Sequence, residues 1–158
     1  MPSNSRFKQK LVNVTKADGY IFEKAQIRCM SSLEAKAVDI IKQLHRAKIV
    51  KQWASEETVF EYISPTDNKT HRYFMDFTLE MMNGDIYYIE VKDFNSTFPP
   101  QQPRKNSPNT VKNYQEAVRT WLVNSAKWDA VEAYCKKMNA KSGKQYHFVK
   151  WTERKELK

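Results

Sequence analysis

Glycine is scarce in this chain: Gly19, Gly84 and Gly143 are the only three in 158 residues, and each stands alone. A glycine-rich phosphate cradle needs several close backbone amides, so a nucleotide-binding loop of that kind is excluded. Cysteine is scarcer still. Cys29 and Cys135 have no CxxC spacing, which argues against a zinc knuckle or disulfide framework and for two buried thiols in a reducing compartment. His45, His71 and His147 lack zinc spacing as well. No apolar run approaches the ~20 residues that span a bilayer, and the first residues lack the apolar stretch of a signal peptide. A cytosolic origin without a membrane partner is the expectation.

The composition present is that of a folded protein: 41% hydrophobic and 28% charged. Length suits one domain with its own core, and the expected division is a basic arm over 1–30, a single domain over 31–152 and a charged tail over 153–158. Net charge is +9, unevenly spread. Residues 1–30 carry six Lys/Arg against two acids, residues 31–100 eight against eleven, and residues 101–158 thirteen against five. An acidic centre between basic flanks suits a protein that holds cations centrally and a polyanion around them. The bland alternative is ordinary solubility charge.

Along the chain, residues 1–28 read as an extended basic arm with little regular structure, either tracking a phosphate backbone or serving as a solvated tail or docking strand. Leu33, Ala37, Ile40, Ile41 and Leu44 recur at helical spacing from Ser31 or Ser32 to near Lys48. Residues 49–55 read as a short crossing with Trp53 packed. Thr58–Ile63 alternates as a first strand, and residues 64–70 form a turn cluster. From Asn95 to Asn113, Pro99, Pro100, Pro103 and Pro108 accompany Arg104, Lys105 and Lys112, predicting a basic loop that closes over substrate or merely crosses the surface. A helix from about Val111 or Asn113 to Met138 follows. Gln145–Thr152 reads as a last strand parallel to the sheet.

The chemistry concentrates in His71–Asp93, which predicts two strands joined at Asn83-Gly84. Phe74, Asp76 and Thr78 would share one face of the first strand, and Glu90 and Lys92 one face of the second, so pairing can bring Asp76 beside Glu90. Asp is disfavoured in a strand centre. Two carboxylates with the Val91 carbonyl could place a magnesium ion, while Lys92 could orient or deprotonate an attacking water or stabilise developing negative charge. The alternative is a salt-bridge cluster on a partly covered, solvated sheet face. Glu34 has two readings: Ser31-Ser32-Leu33-Glu34 fits a capping box, and the same carboxylate could reach a metal on the sheet.

Glu34, Asp76 and Glu90-Val91-Lys92 are arranged as in the PD-(D/E)xK, restriction-endonuclease-like nucleases. A fuller resemblance covers the chain from about Arg6 to Glu153. Ser31-Ser32-Leu33-Glu34, Trp53-Ala54-Ser55-Glu56-Glu57, Tyr62-Ile63-Ser64-Pro65-Thr66-Asp67-Asn68, His71–Phe77, Pro103-Arg104-Lys105 and Asn124-Ser125-Ala126-Lys127-Trp128 resemble the head-completion nuclease family of T-even-like phages. The resemblance implies an α+β restriction-endonuclease-like core of helix, three-strand antiparallel meander, long helix and final parallel strand. It also implies an Mg²⁺- or Mn²⁺-dependent endonuclease site at Glu34, Asp76, Glu90 and Lys92, with Lys127 as a further phosphate contact. DNA and portal or neck proteins would be the partners of a late protein in the host cytoplasm or virion, acting on packaged heads before the tail joins. A structural connector with a dispensable site is the rival. Leu33 and Met30 depart from the family's expected Trp and Arg.

Overall fold

The computed structural model describes residues 9–154; Arg6, Phe7 and Lys8 of the expected arm and residues 155–158 of the expected tail lie outside the described residues. Lys10–Thr15 (β1) and Lys24–Cys29 (β2) pair antiparallel, from Lys10 opposite Cys29 to Thr15 opposite Lys24. This corrects the expectation of an arm with little regular structure. Val14, Ile27 and Cys29 face inward and are buried, while Lys24, Gln26 and Arg28 face outward and are exposed. Polar residues at alternate positions of such short strands hide the alternation.

Ser32–Arg46 forms α1, close to its expected span, with the Ser31 hydroxyl accepting the Glu34 amide at 3.1 Å. Val50–Ser55 forms β3, where a crossing was expected. A bulge between Val50 and Gln52 puts Val50 and Trp53 on one face, which breaks the alternation that marks a strand. Trp53 also anchors the N-terminal hairpin. Its amide donates to Gly19 O at 2.9 Å, its carbonyl accepts the Ile21 amide at 3.1 Å, and its indole donates to Asp18 O at 2.9 Å.

Val59–Ile63 (β4) and Thr70–Phe74 (β5) pair only with each other, as a two-stranded ribbon. Phe77–Met81 (β6) and Ile86–Val91 (β7) form the expected hairpin, turning at Gly84 with φ 94°. The expected continuous strand from His71 therefore breaks at Met75 and Asp76. Pro108–Lys141 forms α2, earlier than the expected 111–113, because Pro108 sits in the first turn where its missing N–H is no loss. Tyr146–Trp151 (β8) pairs parallel to β7, as expected.

The sheet order is β3-β6-β7-β8. The restriction-endonuclease-like order of helix, three antiparallel strands, long helix and parallel strand is present, with β3 instead of β4 as the first of the three. Tyr87, Ile89 and Val91 of β7 pack with α1, Trp53 and the N-terminal hairpin. Ile86 and Tyr88 face the other way, onto α2 and the ribbon. Both faces are covered, so the expected partly solvated face is a further correction. No helix among the described residues is long and apolar enough to cross a membrane.

Gly19 has φ 87°, and a Cβ there would stand 2.5 Å from the His45 ring. Gly19→Ala should therefore cost about 1–3 kcal/mol in urea unfolding, whereas Gly143→Ala, with open space around it, should stay within about 0.5 kcal/mol. Equal effects would mean the hairpin is not part of the cooperative core.

Candidate active site

Phe77 pairs with Ile89, and one step further along that register sets Asp76 opposite Glu90. At the strand end a carboxylate replaces the ladder: Asp76 Oδ2 accepts the Val91 amide at 2.8 Å. The break before it is pinned by the backbone. Met75 N–H donates to Thr58 O at 2.9 Å, and Glu56 N–H lies 3.2 Å from both the Met75 and Asp76 carbonyls. Glu56 holds a left-handed φ of 56° to do so, a conformation that non-glycine residues rarely adopt.

Glu90 points to the α2 side of the sheet and is 8% exposed. The Tyr73 hydroxyl donates to Glu90 Oε2, and Lys92 Nζ lies 3.9 Å from Oε1. Lys127 reaches down from α2, its ammonium 5.4 Å from the Tyr73 ring centre and 5.8 Å from that of Tyr62. Glu34 forms half of the expected capping box: its amide donates to the Ser31 hydroxyl at 3.1 Å, but its Oε2 accepts the amide of Met30, one residue before the N-cap, at 3.1 Å.

The electrostatics tie these groups together. Burial, then the charge of Glu90, push the Asp76 carboxyl up to about 8, with Glu34 and Glu56 adding to the rise and the Val91 amide opposing it. Burial raises Glu90 too, against the Tyr73 hydroxyl, Lys92 and Lys127. Glu34 is raised by burial and by the charges of Glu56 and Glu90. Tyr73 is driven far above the phenol range by burial and by Glu90, so it stays neutral and donating.

Asp76, Glu90, Val91, Lys92 and Lys127 thus gather at one end of β7, and Glu34 joins them by charge, not by contact. Arg104, Lys105 and Lys112 are exposed and are not brought to the acids; Lys112 lies on α2, not in the loop. Sequence reasoning missed Tyr73, Glu56 and the buried Asn124. Tyr73 was hidden because a continuous strand would aim it away from Asp76. Asn124 had a signal, since it continues the buried α2 positions Trp128, Val131 and Cys135.

Among the described residues, no three His, Cys, Asp or Glu side chains form a ready metal cage. The donor chemistry still fits a hard divalent ion, which keeps several waters and needs only one or two carboxylates. Asp76 and Glu90 repel each other with partial compensation, and each has one oxygen already held by a protein donor.

Residues 47–143 match the family described as TnsA-like endonuclease N terminal, which is more than half of the chain. The match includes Asp76, Glu90, Lys92 and Lys127 but not Glu34. Over 89 residues the chain is 33% identical to the Head completion nuclease of Enterobacteria phage T4, covering 56% of this chain and 59% of that protein. No solved structure matches.

The raised Asp76 carboxyl sets a pH dependence. With about 8 in the folded chain and ~3.9 in the unfolded chain, the folded state binds the extra proton between those values. Its stabilisation is complete below about pH 4 and is lost as pH rises through about 8. Asp76→Asn should flatten the metal-free stability profile over that window and be more stable than the parent at about pH 9. Parallel profiles in urea unfolding would show that Asp76 does not carry the effect.

Proposed function

The chain belongs to the TnsA-like endonuclease N-terminal family, and we propose that it is a divalent-metal-dependent endodeoxyribonuclease acting in phage head completion. The observation that carries the chemistry is the pair Asp76 and Glu90, forced together at a sheet end and flanked by Lys92. The setting rests on the similarity to the phage T4 protein, of whose length the chain spans 59%. Action on packaged heads at the portal vertex, before the tail joins, is part of the same reading.

Asp76, Glu90 and the Val91 carbonyl would hold magnesium or manganese, with Glu34 contributing charge from the start of α1. Bound there, the ion lowers the pKa of a water and offsets negative charge on a phosphoryl oxygen. Tyr73 fixes one Glu90 oxygen, so the other faces Lys92. Lys92, 28% exposed, is placed to orient the attacking water or to stabilise developing charge as a cation. Lys127 approaches from α2 to meet a phosphate. Arg104, Lys105 and Lys112 extend a basic track for the DNA backbone away from the acids.

Asp76→Asn should lower metal-dependent plasmid cleavage by at least ~100-fold, the scale of losing one fixed electrostatic group, while leaving the fold intact. Magnesium should raise the melting temperature of the parent and not of the variant; cleavage that survives in clean protein would remove Asp76 from the site. Duplex binding should weaken with salt, with a slope magnitude of about 0.9 per phosphate neutralised. A flat salt profile, or rescue of head assembly by Asp76→Asn, would favour the connector role.

A further inference from the structure

A cleft of about 390 Å³ opens beside Lys92, with Asp93, Phe98, Ala117, Trp121 and Asn124 also in its wall. Lys92 belongs to both the cleft and the site, so whatever fills the cleft lies next to the reacting phosphate. The volume falls at the lower end of the ~300–1,000 Å³ typical of small-ligand pockets. It suits one planar group, not a duplex.

The lining has the chemistry of base recognition. Phe98 is 52% exposed, and it rests edge-on against Phe94 at 5.0 Å. Trp121 is braced edge-on by Trp128 at 5.7 Å. Asn124, 8% exposed, makes no side-chain hydrogen bond among the described residues, although it lines the cleft. Its amide offers both a donor and an acceptor. With no protein partner, that amide is open to the cleft, and the edge of a nucleobase supplies the complementary groups. The segment 101–158, which supplies the α2 side of this wall, has thirteen Lys/Arg against five acids. That balance suits an anionic chain.

We propose that this cleft seats one unpaired nucleobase beside the scissile phosphate, so that the substrate class is DNA with a single-stranded segment next to a duplex. The inference rests on the nuclease reading above and adds its substrate class. Paired bases are stacked within the helix and cannot offer their faces to Phe98 and Trp121, whereas unpaired bases stack on such rings in single-strand binding sites.

The test uses the full chain carrying Asp76→Asn, so that DNA is bound and not cut. Forked DNA with 2-aminopurine at the first unpaired position is titrated against a fully paired duplex of equal length carrying the same probe. Forked DNA should bind about tenfold tighter, within the range of one base–aromatic stack, and its fluorescence should change on binding. Adding Phe98→Ala, or Ala117→Leu to fill the cleft, should abolish both the preference and the fluorescence change; both positions are exposed, and unchanged melting temperatures confirm folding. Equal affinity for fork and duplex, or a preference untouched by both variants, overturns the proposal, as does competition by a peptide and not by forked DNA. The nuclease reading fails separately, if the parent with magnesium or manganese cuts neither substrate while the fork-specific signal persists.

Discussion

Asp76 and Glu90 repel each other across the end of the β6–β7 pair, and the surrounding structure is arranged to hold them there. Burial raises both carboxyls, the charge of Glu90 raises Asp76 further, and both effects weaken the fold that contains them. The Val91 amide, the Tyr73 hydroxyl and the two nearby lysines each offset part of that cost. The break at Met75 is a requirement of the same kind. Had β5 and β6 been one strand, the pleat would have turned Tyr73 away from Glu90, and the buried acid would have lost its hydroxyl donor.

The layers of the fold converge on that pair from opposite sides. From the α1 side comes Glu34, already positioned by its hydrogen bonds to the Ser31 hydroxyl and the Met30 amide. The cap and the site are one geometry: fixing the first turn of α1 also fixes where that carboxylate's charge falls. From the α2 side come Lys127 and the wall of the cleft, while the ribbon brings Tyr73. Glu56 ties the ribbon's exit to Asp76 through its left-handed backbone. The site is a seam between layers, so its geometry depends on both cores being formed.

Local chemistry was legible where it was strong. The Ser31 cap, the apolar repeat of α1, the Asn83-Gly84 turn and the last parallel strand could all be read from residues alone, as could the proximity of Asp76 to Glu90. What could not be read had specific causes. The Val50/Gln52 bulge spoiled the alternation of β3, and Pro108 marked a helix start where a loop was inferred. The short, largely polar β1 and β2 concealed buried Val14 and Ile27. The break between β5 and β6 is marked in the sequence by Asp76 alone, set among the apolar Phe74, Met75 and Phe77; the pairing of β4 with β5 and of β3 with β6 reveals it.

The two lysines show what the resting arrangement is prepared for. Lys92 stands 3.9 Å from Glu90, beyond the 2.7–3.2 Å of a charge-assisted hydrogen bond. Lys127 lies over two aromatic rings instead of touching a carboxylate. Both are near enough to favour the ionised form of Glu90, and neither is committed to it. A tight ion pair would have to be broken before either cation could meet a phosphate, and that cost would fall on the reaction. Held at this distance, the same charges temper the acids, and under the proposed nuclease reading they would meet phosphoryl oxygens without an ion pair having to be broken first.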